Sequence, residues 1–176
     1  FGQRLERLAE RHDDLARLGS DEFAIVTPNT NIPSLTDACR ALVEDLAQIF
    51  EVGGLRLQVG ASVGVARYPE DGDSLSKLIR SAHLALYEAK QSRNAVCVYK
   101  AEMETAYLRR LNVEQRLRYG LASHALYMVY QPQVNDAGET IGLEALVRWQ
   151  DEELGFVSPA EFVDVAEKSG LMIPLG

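Results

Sequence analysis

The chain has 176 residues, 47% of them hydrophobic, which suits one or two domains with apolar cores. Its formal net charge of −8 argues against a general nucleic-acid-binding or membrane-surface protein, because both need a basic face. Cys39 and Cys97 lie in apolar runs and are expected to be reduced, buried side chains with no disulfide between them. No run has the length of a membrane span, and none has the pattern of a signal peptide.

The first predicted elements are a helix over residues 3–11 and a β-hairpin. The hairpin turn is the segment 17–23, Arg-Leu-Gly-Ser-Asp-Glu-Phe, in which a small-residue pair precedes two carboxylates between extended segments. Adjacent carboxylates repel each other and are stabilised by a hard cation, so Asp21 and Glu22 are candidate members of a metal–phosphate site. A solvated acidic turn with no ligand is the alternative.

A helix and a long strand are predicted next. Ser34 is a candidate N-cap for a helix whose apolar stripe continues to residue 50. Gly53 and Gly54 are expected to end that helix. Apolar residues then alternate with polar or small ones over residues 55–66, which predicts one continuous strand with one buried face.

The first domain is predicted to close with a second amphipathic helix, capped by Ser74, and a short buried strand over residues 95–99. Residues 101–122 then carry apolar side chains at helical spacing without a Pro- or Gly-rich linker. A continuous helix of this kind indicates stiff coupling between domains. The predicted organisation is a first domain over 1–100, a helical connector over 101–122 and a second domain over 123–176.

The second domain is predicted to begin with a hairpin whose return strand is residues 140–149. On this strand Glu144 and Arg148 share one face, about 13 Å apart along the strand, and Trp149 lies on the other face. A buried strand face that carries Glu and Arg is costly unless these side chains bind something, so both are candidate binding residues. A solvent-exposed polar face is the alternative.

A further helix is predicted after this hairpin. Ser158 and Glu161 have the spacing of a capping box, with Pro159 at the first helical position. Gly170 is the predicted stop.

Three segments of the first half together resemble the GGDEF domain family, the diguanylate cyclases. They are the turn 17–23, the strand segment 61–66 (Ala-Ser-Val-Gly-Val-Ala) and the helix segment 82–90 (Ala-His-Leu-Ala-Leu-Tyr-Glu-Ala-Lys). Ser20 stands where the family has its second glycine. The resemblance implies an α/β (α+β), nucleotidyl-cyclase-like fold with a ferredoxin-like palm. It also implies GTP as substrate and Mg²⁺ or Mn²⁺ as cofactor.

The same resemblance implies roles for individual residues. Asp21 would bind the metal and help to deprotonate the attacking 3′-hydroxyl, and Glu22 would be catalytic beside it. The implied ligand-binding residues are Gly19, Ser20, Lys90 and Arg93, the last two through the GTP triphosphate.

Two departures from the family favour a weakly active or regulatory first domain. Ser20 resists the positive φ and the close approach of backbone to phosphate that glycine permits. The segment 90–94 is one residue shorter than the family's and lacks its glycine, which displaces Arg93. A basic helix C-terminus, favoured by the helix dipole, is the alternative role for Lys90 and Arg93.

Two further positions also differ from the family pattern. Many members carry an R-x-x-D inhibitory site that binds cyclic di-GMP; Asp13 matches its aspartate, but Glu10 stands where the arginine should be. The inhibitory site is therefore expected to be lost. His83 replaces an aspartate of the family's helix, and the sequence assigns it no role.

In the second half, the strand 144–149, Glu-Ala-Leu-Val-Arg-Trp, resembles the E-A-L-x-R-W strand of EAL domains, which hydrolyse cyclic di-GMP. Segments 158–162 and 166–171 extend that resemblance. It implies the start of a (β/α)8 barrel. The implied roles are metal binding and catalysis for Glu144, and ligand contact for Gln131 and Arg148.

The chain as a whole thus resembles a GGDEF–EAL tandem protein of cyclic di-GMP signalling. The leading hypothesis is a metal-dependent cyclic di-GMP phosphodiesterase in the EAL half, with a degenerate GGDEF half that is regulatory or weakly active. An active cyclase that makes cyclic di-GMP from two GTP is one alternative. A non-catalytic receptor for cyclic di-GMP or GTP is the other.

The resemblance also sets expectations about size and partners. A closed (β/α)8 barrel needs roughly 200 residues, so the EAL domain is expected to be truncated, inactive alone and left with an exposed apolar face. The GGDEF domain is expected to lack its N-terminal part, which in the family carries a metal-binding aspartate and guanine-contacting residues. The expected partners are GTP and cyclic di-GMP, with a homodimer for a working cyclase, no nucleic acid and no membrane contact from this segment. The expected location is the cytoplasm, with any inner-membrane anchor outside this segment.

Overall fold

The chain folds as two mixed α/β units, Phe1–Glu104 and Thr105–Gly176. The structure is a computed structural model that describes residues 2–8, 13–28 and 31–176. Within those ranges both helices and strands occur in each unit, and the strands of the second unit form an open sheet with no closed barrel. The predicted mixed α/β class is confirmed.

The first unit contains three strand pairs and three helices in its described residues. β1–β2 and β3–β4 are antiparallel hairpins, whereas β5 and β6 are parallel, with a helix between them in the chain. The elements are α1 (Gly2–Leu8), β1 (Asp14–Arg17), β2 (Phe23–Val26), α2 (Ile32–Leu46), β3 (Phe50–Val52), β4 (Leu55–Leu57), β5 (Val63–Val65), α3 (Leu75–Ser92) and β6 (Val96–Val98).

Helix α3 lies directly on the β5–β6 pair because Gly64 has no side chain. A Cβ on Gly64 would lie 2.2 Å from the carbonyl oxygen of Ala82 and 2.3 Å from the backbone nitrogen of Leu86. Such distances are far inside van der Waals contact, so any larger residue would push the helix off the sheet. The side chains of Leu84, Ala85 and Ala89 on α3 are buried.

Helix α1 is held against the end of α2 by Arg4. Its guanidinium donates to the carbonyl oxygens of Asp45 (3.2 Å), Gln48 (3.1 Å) and Ile49 (3.4 Å). Asp45 lies in the last turn of α2, and Gln48 and Ile49 follow the helix end, where intrahelical donors are lacking. The same guanidinium stacks 3.9 Å from the centroid of the Phe50 ring.

Two predicted boundaries of α2 are wrong. Its N-cap is Asn31, whose side chain accepts from the backbone N–H of Ser34 at 3.0 Å, so the helix begins before Ser34. The helix ends at Leu46, and Gly53 and Gly54 instead form the turn of the β3–β4 hairpin, with φ of 57° and 81°. Consecutive positive-φ residues suit a tight hairpin turn, a use of glycine that competes with helix termination.

The single strand predicted over residues 55–66 is also wrong, because it is two short strands in different sheets. β4 pairs with β3, and β5 pairs with β6. Between them Gly60 lies so close to Asn94 that a Cβ would be 2.2 Å from its Oδ1 atom. An alternating pattern of apolar side chains indicates which face of a strand is buried, but it does not indicate which other strand it pairs with.

Helix α4 (Glu102–Ala122) starts in the first unit and continues into the second. The second unit adds β7 (Leu126–Val134), β8 (Thr140–Asp151), β9 (Gly155–Val157), α5 (Pro159–Ser169) and α6 (Met172–Leu175). Its sheet is antiparallel in the order β7-β8-β9. Among the described residues, no helix combines the length and apolar character that a bilayer span requires.

The core of the second unit surrounds Trp149 of β8, which is completely buried. Its ring packs edge-on against Phe162, with centroids 5.7 Å apart and planes at 85°. Val113 and Leu117 of α4 are equally buried and join the same core. The second half of α4 is therefore part of this unit's hydrophobic core.

The face of β7–β8 that carries Trp149 is covered at one end only. Farther along the same face, the apolar side chains are largely exposed, which confirms the expected open face. They are Met128, Tyr130, Val134, Ile141 and Leu143.

The predicted capping box of α5 is wrong, although its other signals are confirmed. Ser158 is the N-cap but makes no side-chain cap hydrogen bond. Glu161 instead accepts from the Nε (2.7 Å) and Nη2 (3.2 Å) atoms of Arg109 on α4, a charged partner that outcompetes a backbone N–H. Pro159 does open the helix, and Gly170 ends it with φ of 72°.

Asp151 joins the end of β8 to α4. Its carboxylate is 4% exposed and accepts from Arg116 Nε at 2.9 Å and from the backbone N–H groups of Glu153 and Leu154, both at 2.9 Å. Burial alone would raise the pKa of Asp151, but the hydrogen bonds from Leu154, Arg116 and Glu153 outweigh it and lower the pKa below its ordinary value.

Asp151→Asn should therefore lower the free energy of unfolding of the second unit by about 2 kcal/mol at pH 7, because a buried charged hydrogen-bond acceptor is lost. Because the pKa of Asp151 is lower in the folded state, its carboxylate stabilises the fold fully at pH values above its ordinary pKa of 3.8. This stabilisation is lost as the pH falls through the folded-state pKa of Asp151. The difference between wild type and variant should thus shrink in acid. Urea unfolding at pH 7 and pH 3 measures it.

Asp164→Asn is the matched control, since Asp164 pairs with Lys168 but is 47% exposed. It should change the stability by less than about 0.5 kcal/mol. Equal losses for the two variants would contradict the role given to the buried pair.

Candidate functional site

The acidic turn, residues 18–22, joins β1 to β2. The last paired residues of the two strands before the turn are Arg17 and Phe23. The backbone N–H groups of Leu18 and Gly19 both donate to the carbonyl oxygen of Glu22, at 2.9 and 3.3 Å. The sequence correctly predicted a hairpin at this segment. Its two carboxylates, Asp21 and Glu22, are consecutive residues directly before β2.

Arg17 holds the turn through backbone atoms. Its Nε donates to the carbonyl oxygen of Gly19 and its Nη2 to that of Ser20, both at 2.8 Å. The hydroxyl of Ser20 donates to Asp21 Oδ1 at 3.2 Å. The cation nearest in sequence is thus bound to carbonyl oxygens, and Asp21 remains exposed to solvent.

The backbone of Ser20 is not strained, which corrects one part of the sequence argument. The described non-glycine residues with positive φ are Arg93, Asn94 and His124. Gly19 also lacks a positive φ, and a Cβ there would meet no atom within 4 Å. Neither position therefore needs glycine for its own conformation. The effect of the Ser20 Cβ on the approach of a phosphate stays a prediction.

Lys90 and Arg93 lie at the C-terminal end of α3, but only Lys90 has helical backbone conformation. Lys90 is exposed in the last turn of the helix. Arg93 has left the helix, with φ of 52°, and its N–H donates to the carbonyl oxygen of Lys90 at 3.3 Å. The two side chains therefore do not share one helical face, and a joint contact with a triphosphate stays a prediction.

His83, to which the sequence assigned no role, contacts the acidic turn. Its Nε2 atom lies 3.8 Å from Glu22 Oε2, and both side chains are partly exposed, at 49% and 38%. The structure thus brings α3 next to the acidic turn. No local pattern could show this contact, because the two residues are 61 positions apart and meet only through the packing of the domain.

Asp13, the residue that matches the inhibitory-site aspartate, is half-buried. It lies near Cys39 of α2: burial raises the pKa of the Cys39 thiol, and the negative charge of Asp13 raises it further. Glu10, Arg11 and His12 lie outside the described residues. Cys97 also has a raised pKa, mainly through burial, and both cysteines are unpaired as expected, although they are half-buried.

In the second unit the candidate residues lie on the face of β7–β8 opposite Trp149. Glu144 and Gln131 form a directly opposed cross-strand pair, and Arg148 is opposed to Tyr127 on the same face. Glu144 is exposed, as the alternative of a solvent-facing polar surface requires, and Arg148 is half-buried with Nη1 donating to the carbonyl oxygen of Val147 at 2.9 Å. The predicted sharing of a face by Glu144 and Arg148 is confirmed.

A metal centre needs several donors at one point, and these sites do not supply them. Across residues 2–8, 13–28 and 31–176, no three His, Cys, Asp or Glu side chains gather closely enough to hold a metal ion. The acidic turn offers two carboxylates and β8 offers Glu144 alone, whereas a divalent cation held by protein prefers octahedral or higher oxygen coordination. These residues fit part of a metal site and not a complete one.

Two family models match the chain. Residues 1–95 match the diguanylate cyclase GGDEF domain, and residues 114–176 match the EAL domain. The cyclic di-GMP phosphodiesterase PdeR of Escherichia coli (strain K12) is 38% identical over 167 residues, covering 94% of this chain and 25% of PdeR. The bifunctional diguanylate cyclase/cyclic di-GMP phosphodiesterase MucR of Pseudomonas aeruginosa is 32% identical over 176 residues, covering 99% of this chain and 26% of MucR.

Solved structures agree with the fold. The EAL/GGDEF domain protein from M. capsulatus superimposes with a TM-score of 0.52 at 27% identity, over 56% of this chain and 64% of that one. The GGDEF domain of TpbB (YfiN) from Pseudomonas aeruginosa gives a TM-score of 0.57 at 23% identity, over 60% and 63%, and supports the fold alone.

The chain spans about a quarter of the length of these curated relatives. The acidic turn and α3 fall within the first match, and the strand with Glu144 and Arg148 falls within the second. The chain therefore belongs to the GGDEF family over residues 1–95 and continues, over residues 114–176, into an EAL domain.

Proposed function

We propose that the chain is the junction of a cyclic di-GMP signalling protein whose EAL half is a phosphodiesterase for cyclic di-GMP. The observation that carries this proposal is the polar face of β7–β8, where Glu144 opposes Gln131 and Arg148 lies farther along the same strand. A carboxylate, an amide and a guanidinium on one face can contact a metal ion, a nucleotide and a phosphate. The names of PdeR and MucR, which include this activity, support the assignment.

Each side chain would act through its own chemistry. The guanidinium of Arg148 would bind a phosphate of the ligand, since Arg forms paired hydrogen bonds with phosphate oxygens. The amide of Gln131 would orient the nucleotide. Glu144 would contribute one carboxylate to a divalent metal ion, Mg²⁺ or Mn²⁺, whose other ligands come from outside the described residues.

We further propose that the GGDEF half is regulatory or weakly active. The Ser20 Cβ would obstruct the approach of a phosphate to the turn, and Arg93 has left the helix that carries Lys90. Both features weaken a triphosphate site built from the turn and the end of α3. Regulation would then act through bound GTP or cyclic di-GMP, with both halves in the cytoplasm.

An active cyclase is the second candidate, because the acidic turn is well formed. Ser20 is unstrained, Arg17 braces the turn, and Asp21 is exposed to an incoming ligand. In this case Asp21 and Glu22 would act on GTP, and a homodimer would bring two such sites together.

Glu144→Ala should abolish hydrolysis of cyclic di-GMP in a protein that carries this chain together with a complete EAL domain, because one metal ligand is lost. The chain of 176 residues alone should show no hydrolysis with Mg²⁺ or Mn²⁺, since Glu144 alone cannot activate water. Chromatography of the nucleotide products measures both.

Glu152→Ala is the control, because Glu152 is an exposed carboxylate just after β8, and it should leave the rate unchanged. Metal-dependent turnover by the 176-residue chain that Glu144→Ala removes would refute the expected inactivity and show that its site is complete.

Ser20→Gly should raise the synthesis of cyclic di-GMP from GTP in a protein with a complete GGDEF domain, whereas Ser20→Ala should not. The reason is that alanine keeps the Cβ that blocks the phosphate, while the backbone of Ser20 needs no relief from strain. Rates of GTP conversion measure the effect. Fast synthesis by the Ser20 protein, or equal rates for all three proteins, would disprove the limiting role of serine.

The first domain should lack tight binding of cyclic di-GMP at an inhibitory site, because Glu10 cannot replace an arginine and the side chain of Asp13 is half-buried near Cys39. Calorimetry with cyclic di-GMP on a protein containing the complete GGDEF domain and an inactivated EAL site measures this. Tight binding that Asp13→Ala removes is the contrary outcome.

A further inference from the structure

Helix α3 connects the acidic turn to the lysine at its own C-terminal end. The contact of His83 with Glu22, 3.8 Å between Nε2 and Oε2, places the turn beside the middle of the helix. Lys90 is seven residues farther on. Seven residues advance a helix by about 10.5 Å and return to within about 20° of the same direction, so His83 and Lys90 lie on one face.

This geometry determines the path of any ligand that touches both the turn and Lys90. A polyphosphate that reaches from Lys90 to the acidic turn must extend along this face of α3. His83 lies on that path, next to the turn, and about half of its side chain is exposed. Its ring N–H can therefore reach a phosphate oxygen without any rearrangement of the helix.

The charges around the turn support such a contact. Asp21 and Glu22 repel a polyphosphate, and Arg17 is engaged with the carbonyl oxygens of Gly19 and Ser20. Arg80, one turn before His83, forms an ion pair with Glu104. A donor at His83 is thus placed where the turn itself provides carboxylates and no cation directed at the ligand.

We propose that His83 is a ligand-contact residue of the first unit and donates a hydrogen bond to the polyphosphate of a bound nucleoside triphosphate, between Lys90 and the acidic turn. This inference rests on the proposed nucleotide site of the GGDEF half, and it adds a residue to which the sequence assigned no role. In the structure the same imidazole lies 3.8 Å from Glu22 Oε2.

The test is titration calorimetry of the 176-residue chain with two probes, GTP and inorganic tripolyphosphate, at pH 7 in Mg²⁺ buffer. His83→Ala should weaken the binding of both probes about fivefold, the effect of one lost hydrogen bond. His83→Gln retains an N–H donor and should recover most of the affinity. His124→Asn replaces an exposed histidine of the second unit and should change neither Kd.

The other outcomes separate the failure of this inference from that of the site. If Lys90→Ala weakens binding and His83→Ala does not, His83 has no contact but the phosphate site stands. If His83→Ala weakens the binding of GTP but not of tripolyphosphate, His83 contacts the base and the phosphate contact is disproved. If His83→Ala has no effect on binding in a Glu22→Ala background, His83 acts through Glu22 and the phosphate contact is likewise disproved. If the unmodified chain binds neither probe, both the contact and the proposed site fail.

Discussion

The burial of Trp149 determines which face of β8 can bind a ligand. Its indole is fully enclosed and packs edge-on against Phe162, opposite Leu126 of β7. Because side chains alternate along a strand, Glu144 and Arg148 must then point to the opposite face. A slip of one residue would bring both charged groups against the apolar core and expose the tryptophan, so the hydrophobic effect excludes it.

In the first unit the corresponding constraint is the contact of α3 with β5 at Gly64. The backbone of Ala82 and Leu86 leaves no room for a Cβ there, so the position of the helix on the sheet is fixed closely. His83 lies between these two residues in sequence but faces Glu22 of the turn. A packing contact on one side of the helix therefore determines the geometry of a polar contact on its other side.

Local patterns in the sequence predicted most of the elements, because each depends on neighbours a few residues apart. The hairpin at 17–23, the helix that begins after Ser74 and the stop at Gly170 were all found in this way. The shared face of Glu144 and Arg148 followed from strand alternation alone. Membership of both families followed from short motifs, and these motifs lie within the ranges that the two family models match.

The errors occurred where a residue had two possible partners. Gly53 and Gly54 could end a helix or form a hairpin turn. They form the turn because β3 pairs with β4 on either side of them. Glu161 could cap its own helix or bind Arg109, and in the structure its carboxylate accepts a hydrogen bond from the guanidinium of Arg109. The contact of His83 with Glu22 belongs to the same class, because tertiary packing creates it and no local period encodes it.

A chain of net charge −8 can bind a phosphate ligand only through particular cationic side chains, and ion pairs limit which of them are available. Arg80, Arg109 and Arg116 are each bound to a carboxylate. These pairs stabilise contacts between elements, but they leave the guanidinium groups with little attraction for an added anion. Lys90 in the first unit and Arg148 in the second form no ion pair within the described residues, and Arg148 lies on the same strand face as Glu144. The proposed phosphate contacts therefore depend on Lys90 and Arg148, with His83 as an additional proposed donor in the first unit.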